Sequence, residues 1–481
     1  MDGENGSTRW ADRSASDAVP PWSPVDPASG HAAAPSTWYP LLPAPGAIRT
    51  HPAPRPRTRP GPVVVAVAAL VALLVAVGLA VPRLVLAGSG QRAVHPATGG
   101  PPAGTRTGGT DTPAARESAI AAVLARRGTA VVTDDLASWR STQTADAKVP
   151  QFSRLRVLPV TAWAYRVLSA RAGADGASET LDVRVHLRYD VDTADAIVHE
   201  HLTLRRVVAG WRVVGESTSD RRAQPWDLGA LRVVHGTTSL VVGIDTPTST
   251  LREYARLADA SVPEVTAVWG RDWNRHPVIV VPRTVAQLGR ALGRTAASLE
   301  GYAAVTTGEV GDGTGTGAGS GLRIWTNTPG MASLSALGRE VVVRHEITHV
   351  ATDAPGTPSV PLWLEEGFAE YVGYRGSGLA LTDELLELVS AQRRGTAPTH
   401  LPTQEEFDGE QVDLAYEGAD LACRLVAEAY GQKALVRLYR LTRSGAGSAD
   451  ANLDAALRRV TGSGTAAFES AWRARIRALA A

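Results

Sequence analysis

Residues 345–349 read H-E-I-T-H, two histidines four apart with an acid beside the first. On a helix, four residues turn through about 400° and climb ~6 Å, so both imidazoles leave one face a turn apart. That separation lets two ring nitrogens reach one tetrahedral zinc ion at about 2.0–2.1 Å each. Glu346, next to His345, can reach past the ion to the water that zinc would activate, which suits it to act as a general base. At ordinary His and Glu frequencies, a chain of this length yields about 0.01 such matches by chance. The bland alternative is a pair of histidines on a helix surface, and the residues downstream decide against it.

The stretch 361–373 reads P-L-W-L-E-E-G-F-A-E-Y-V-G. It resembles the W-L-x-E-G-x-A-E-Y signature of gluzincin metallopeptidases in the peptidase MA superfamily, whose zinc sites use two histidines and a glutamate. The resemblance implies that Glu366, the acid before Gly367, is the third zinc ligand beside His345 and His349, on a second helix antiparallel to the first. Chemistry alone leaves Glu365 as a competitor. Glu370 lies one turn on, where a carboxylate can accept the free ring N–H of a ligating histidine and fix its tautomer. Its alternative is a solvated charge on a helix. In related enzymes a tyrosine or histidine beyond the third ligand steadies the oxyanion. The resemblance points to Tyr416, in the helix that begins A-Y-E-G-A-D-L-A, with His400, Tyr371 and Tyr374 as rivals. Cys423, on the same helix, reads as a small buried apolar residue.

These side chains need elements to place them. Leu334, Leu337 and Val341 predict one long helix over 333–351, ended by Asp353, Pro355 and Gly356. A helix over 250–269, a β-branched strand at 278–281, a helix near 284–293 and strands near 302–307 and 322–326 lead into it. Either of the last two strands could pair with an extended peptide substrate. Helices at 382–394, 411–429, 432–442, 450–459 and 465–479 would build the second lobe of a cleft. The gluzincin resemblance extends over about residues 250–440. The glycine-rich stretch 308–321 lacks the G-K-[ST] of a phosphate loop and reads as a hairpin loop.

Upstream, 181–189 alternates Leu181, Val183, Val185, Leu187 and Tyr189 with polar residues, a half-buried strand. The stretches 196–208 and 211–215 read as further antiparallel strands after a helix around 114–127. One helix followed by such a sheet resembles the cone-shaped domains of the nuclear-transport-factor-like superfamily over 114–222. His199 and His201 share a strand face, but no third ligand stands near, so they read as a solvated face and not as a metal clip.

Residues 1–61 are rich in Pro, Ala and Ser and predict a disordered tail. Residues 63–81 run nineteen apolar positions without a charge, about 28 Å of helix, which predicts a transmembrane span over 62–87. Arg49, Arg55, Arg57 and Arg59 precede it while Arg83 and Arg92 follow, so the tail is expected to be cytoplasmic and the C-terminal bulk extracytoplasmic. A Gly/Pro/Thr linker over 88–113 follows. The expected organisation is therefore a tail, one transmembrane helix, the linker, an α+β cone-like domain over 114–222 and a zinc metallopeptidase domain over 226–481. The fold class is α+β, the last domain being zincin-like, two-lobed and mostly helical in its C-terminal lobe.

Composition bounds the function. The 481 residues carry 49 Lys plus Arg against 48 Asp plus Glu, so there is no basic excess to hold nucleic acid. One cysteine excludes an intrachain disulfide framework. The expectation is a membrane-anchored zinc peptidase: Zn2+ on His345, His349 and Glu366, Glu346 as general base, a polypeptide as substrate, and the bilayer contacted through one helix of a single-pass protein. The competing reading is an inactive envelope binding or scaffold protein that keeps a peptidase-like zinc site. Intramembrane proteolysis is set aside, because Arg344 stands in the H-E-x-x-H helix and the apolar run lies far upstream. Substrate, cleavage preference and oligomeric state are not written in the sequence.

Overall fold

The computed structural model describes residues 37–40, 112–218, 222–308, 321–354, 359–409 and 411–479. Residues 37–40 form strand β1 (Thr37–Pro40). Thr112 opens α1 (Pro113–Val132), its side chain accepting from the Ala115 amide at 3.2 Å, and Asp135 caps α2 (Leu136–Ser141) in the same way. After β2 (Gln143–Lys148) and α3 (Phe152–Leu155), four strands follow in a meander: β3 (Val160–Ala172), β4 (Ser178–Tyr189), β5 (Ala196–Val207) and β6 (Gly210–Thr218). The sheet order is β2-β6-β5-β4-β3. Helix α1 packs on both β6 and β3, which have two strands between them, so the sheet curls around it. Its close approach to β3 needs Gly128, since a Cβ there would stand 2.2 Å from the Trp163 carbonyl oxygen.

The chain then passes through α4 (Pro225–Leu228), β7 (Leu231–His235), β8 (Leu240–Ile244), α5 (Thr248–Trp269), β9 (Val278–Pro282), α6 (Val285–Leu292), β10 (Tyr302–Thr307) and β11 (Arg323–Thr326). These strands form a second sheet in the order β1-β10-β11-β9-β8-β7. Strands β8, β9 and β11 run parallel and the others pair antiparallel. The unbroken runs L-V-V-G-I and V-I-V-V-P suit strands covered on both faces, and every residue of β8 and β9 is buried. Val241, Ile279, Val281 and Ile324 meet the helical core, whereas Val242, Val278, Val280 and Trp325 join the core of the first sheet.

Nine helices complete the described chain: α7 (Thr328–Ser333), α8 (Ala336–Thr352), α9 (Leu362–Gly373), α10 (Leu381–Glu384), α11 (Leu386–Arg394), α12 (Val412–Tyr430), α13 (Gln432–Arg443), α14 (Ala449–Thr461) and α15 (Thr465–Leu479). The helix expected over 333–351 is present, but it begins three residues later, after a short separate helix that ends at Ser333. Leu334 is extended, and the Ser335 side chain accepts from the Gly338 amide at 3.0 Å, so a new helix starts at Ala336. The stretch 382–394 likewise divides at Leu385.

Arg323 of β11 joins the two sheets. Its guanidinium donates to both oxygens of Asp192, at 2.9 and 2.6 Å, and stacks on Tyr189. Both sheets belong to one compact unit, which takes in the described residues from Thr112 onward.

The expected fold class is corrected in one respect. It included a single transmembrane helix, but among the described residues no helix is long and apolar enough to cross a membrane. The described fold is mixed α/β with two sheets and many helices. The physical reason lies in what an apolar run reports: a tendency to leave water, with no indication of the medium that replaces it. The run 63–81 itself, most of the linker, the tail apart from 37–40 and the glycine-rich stretch 309–320 lie outside the described residues.

Candidate metal centre

Helix α8 carries His345, Glu346 and His349 into the middle of the molecule, and all three are fully buried. It is wedged between the second sheet, α5 and α9. That position explains why the stretch from Val341 onward is apolar or site-forming almost all round. Arg344, the charge inside it, turns outward and donates to the carbonyls of Gly373 (3.2 Å) and Arg375 (2.6 Å), tying α8 to the end of α9.

The two imidazoles converge as the helical spacing requires. Their Nε2 atoms lie 2.9 Å apart. Glu366 of α9 brings Oε2 to 3.2 Å from His345 Nε2 and 3.4 Å from His349 Nε2. These three residues form a group of metal-capable donors whose atoms all lie within 4.8 Å of one another. Donors ~2.05 Å from a tetrahedral ion would stand about 3.3 Å apart, so the observed spacing fits a zinc ion without rearrangement. Glu365, the rival acid, is buried on the same helix but stands outside this group.

Charge points the same way. Burial pushes the His345 imidazole well below its ordinary pKa, with His349 adding to the effect, and burial lowers His349 as well. Both rings are therefore neutral at neutral pH, the state in which an imidazole nitrogen can bind a metal ion. Burial raises Glu366 and Glu370 well above the usual carboxylate range, and lifts Glu365 to about 8. A buried set of acids and neutral imidazoles lacks positive charge, which is what a divalent cation supplies.

Glu346 lies near His349 and Glu366 but is not one of the three converging donors. The Thr306 hydroxyl of β10 donates to its Oε2 at 2.5 Å, while Oε1 is buried and accepts no hydrogen bond. Burial lifts its pKa to about 7, against the lowering effects of His349 and Thr306. A carboxyl balanced near neutrality with one oxygen held and the other open is suited to take up and return a proton.

Glu370 is 2 % exposed, with Oε1 3.5 Å from His345 Nδ1, on the ring edge away from the convergence point. Tyr416 of α12 is buried, its ring 6.4 Å from that of His345 and its hydroxyl bonded to Glu366. The rivals stand apart from the three donors: His400 is half-exposed near Glu406, and Tyr371 lies beside Arg424. Tyr374 lines a surface groove with Arg375 and Glu428. His201 pairs with Asp182 at 2.5 Å on the first sheet, and Cys423 is buried. Thr306 escaped the sequence reading, since nothing distinguishes it from other strand threonines until β10 is laid against α8.

No family model and no curated protein matches this chain. Among solved structures, it is similar to a two-domain M1 zinc metallopeptidase mutant bound to L-arginine, with 14% identity and a TM-score of 0.30, covering 51% of each chain. A second structure, a two-domain M1 zinc metallopeptidase mutant bound to L-tryptophan, gives 13% identity and a TM-score of 0.29 over the same shares. The chain spans about half the length of the structures it matches. The functional reading therefore rests on the geometry of the site itself.

Proposed function

We propose that this protein is a zinc-dependent peptidase. One observation carries the reading: His345 Nε2, His349 Nε2 and Glu366 Oε2 converge from two helices, with Glu346 held beside them by Thr306. His345, His349 and Glu366 would hold the ion. When bound, zinc supplies a Lewis acid that polarises a carbonyl and acidifies water. Glu346 takes the proton from the attacking water and returns it to the amine nitrogen as the C–N bond breaks. Glu370 orients His345 from behind, and Tyr416 orients Glu366.

An extended polypeptide substrate that pairs with the sheet beside Glu346 would have to use β10. Strand β11 is paired on both sides, by β10 and β9, so it has no edge to offer. Strand β10 holds Glu346 through Thr306, and its outer edge already pairs antiparallel with Thr37–Pro40 of this chain. A peptide that takes this place must displace those residues.

The purified 481-residue chain should carry one zinc ion per chain and cleave members of an unbiased peptide library. Glu346→Gln should keep the zinc and lose about 10²–10⁴-fold in rate, while His345→Ala should lose both. If zinc is bound yet no peptide is cut, the scaffold reading replaces this one. If Glu346→Gln cleaves as well as wild type, the assignment of the base is wrong.

A further inference from the structure

The sheet edge beside the metal centre is closed by a strand from far upstream. Without β1, strand β10 would be an edge, presenting a row of unpaired N–H and C=O groups. Thr37–Pro40 fill that row antiparallel, with Thr37 opposite Thr306, Trp38 opposite Val305 and Tyr39 opposite Ala304. Thr306 is the residue whose hydroxyl donates to Glu346, so the pairing starts directly across from the hold on the proposed base. The same strand also touches α8, the helix that carries His345, Glu346 and His349. Strand β1 thus meets both elements that place Glu346.

Two features make this strand removable. It is four residues long, against about five or six for an ordinary strand, and its register slips between Tyr39 and Pro40. Proline has no N–H to give to a ladder, and Pro35 and Pro40 stand on either side of the S-T-W-Y stretch, so the pairing cannot lengthen far in either direction. A short ladder of backbone bonds can be exchanged for another that offers the same bonds, as an extended peptide does.

We propose that residues 37–40 are an autoinhibitory strand: they occupy the place on β10 that an extended substrate needs, and the cleft accepts substrate only when they leave it. The inference rests on the reading of the site as a zinc peptidase whose substrate pairs with β10. The exchange lowers the fraction of molecules able to take substrate and leaves the chemistry at Glu346 as it is. The pairing also requires the tail and the catalytic unit to share a compartment, against the topology expected from the flanking arginines.

The test is the 481-residue chain carrying Trp38→Pro and Tyr39→Pro together, which removes both central amides of β1. Freed of its competitor, the double variant should show a KM for library peptides about 10-fold below that of wild type with kcat unchanged, the ratio set by a strand seated about nine-tenths of the time. Amides of β10 should exchange with solvent faster in the variant, while those of α8 stay protected. A synthetic peptide spanning residues 34–42 should compete with substrate in the variant, and less well in wild type, where the tethered copy is already seated. An unchanged KM overturns the proposal, as does unchanged exchange in β10 or a peptide that fails to compete in the variant. Should the double variant fail to fold, Trp38→Gly with Tyr39→Gly, which keeps the amides and lowers the strand preference, carries the same measurements. A wild type that cleaves peptides and a variant that matches it sink this proposal alone; zinc-loaded wild type and variant that both cleave nothing sink the peptidase reading with it.

Discussion

At the scale of single residues, the site stores acids in a place that favours their neutral form. The pH dependence of the metal-free protein follows from that. Burial lifts Glu346 to about 7 and Glu365 to about 8 when folded, and raises Glu366 and Glu370 well above the usual carboxylate range. A raised acid binds its proton more tightly folded than unfolded, so stability is lost as pH rises from the unfolded value through the folded one. The two lowered imidazoles act oppositely, but only below their ordinary value of 6.5. Between pH 6.5 and 8 the carboxyls act alone. The metal-free protein should therefore melt lower at pH 8 than at pH 6.5, by on the order of 5 °C, and zinc should abolish or reverse the difference. A metal-free melting point that rises over that window would mean that these acids are not buried as described.

At the scale of elements, the meeting of α9 and α12 decides whether the third ligand and its supports line up. Gly367 permits it. Adding a methyl there would put carbon 2.2 Å from one backbone atom of Ala419 and 2.5 Å from another, and backbone cannot swing aside as a side chain can. Gly367→Ala should cost roughly 1–3 kcal/mol or more in stability and also weaken zinc binding, because separating the helices pulls Tyr416 from Glu366. Calorimetry and chelator competition on the same sample would check both, and an unchanged melting temperature would contradict the close crossing. The far side of α9 is fixed by aromatic packing. Phe368 meets Trp269 of α5 at 5.6 Å and Tyr439 of α13 at 5.3 Å, and Trp363 stacks on Phe468 of α15. Three elements distant in sequence thus set the tilt of one 12-residue helix.

At the scale of the whole molecule, two hydrophobic cores share one sheet, and the bond between Arg323 and Asp192 is a buried polar tie between the two sheets. The Asp192 side chain is 1% exposed and that of Arg323 11%. Arg323→Ala would strand a buried carboxylate, which costs roughly 3–5 kcal/mol when a partner is removed. The loss should appear as faster hydrogen exchange in the β4–β5 hairpin, with α8 still protected and zinc still bound. Equal loss of protection in both places would show that the two sheets unfold as one.

How much of this was legible beforehand depends on the range of the interaction. His345, Glu346 and His349 could be placed from their spacing alone, because a helix fixes the relation of residues four apart wherever it lies. The alternation in 181–189 and the β-branched run at 278–281 gave strands for the same local reason. The boundary at Leu334 was not visible, since Leu334 and Leu337 fit a continued helix and only the Ser335 cap breaks it. The choice of Glu366 over Glu365 needed either a resemblance or the rotation of α9, which its aromatic neighbours set. The hold of Thr306 on Glu346 was decided only in three dimensions. The two are separated by 40 residues, and no local geometry relates positions so far apart until the helices and sheet are packed.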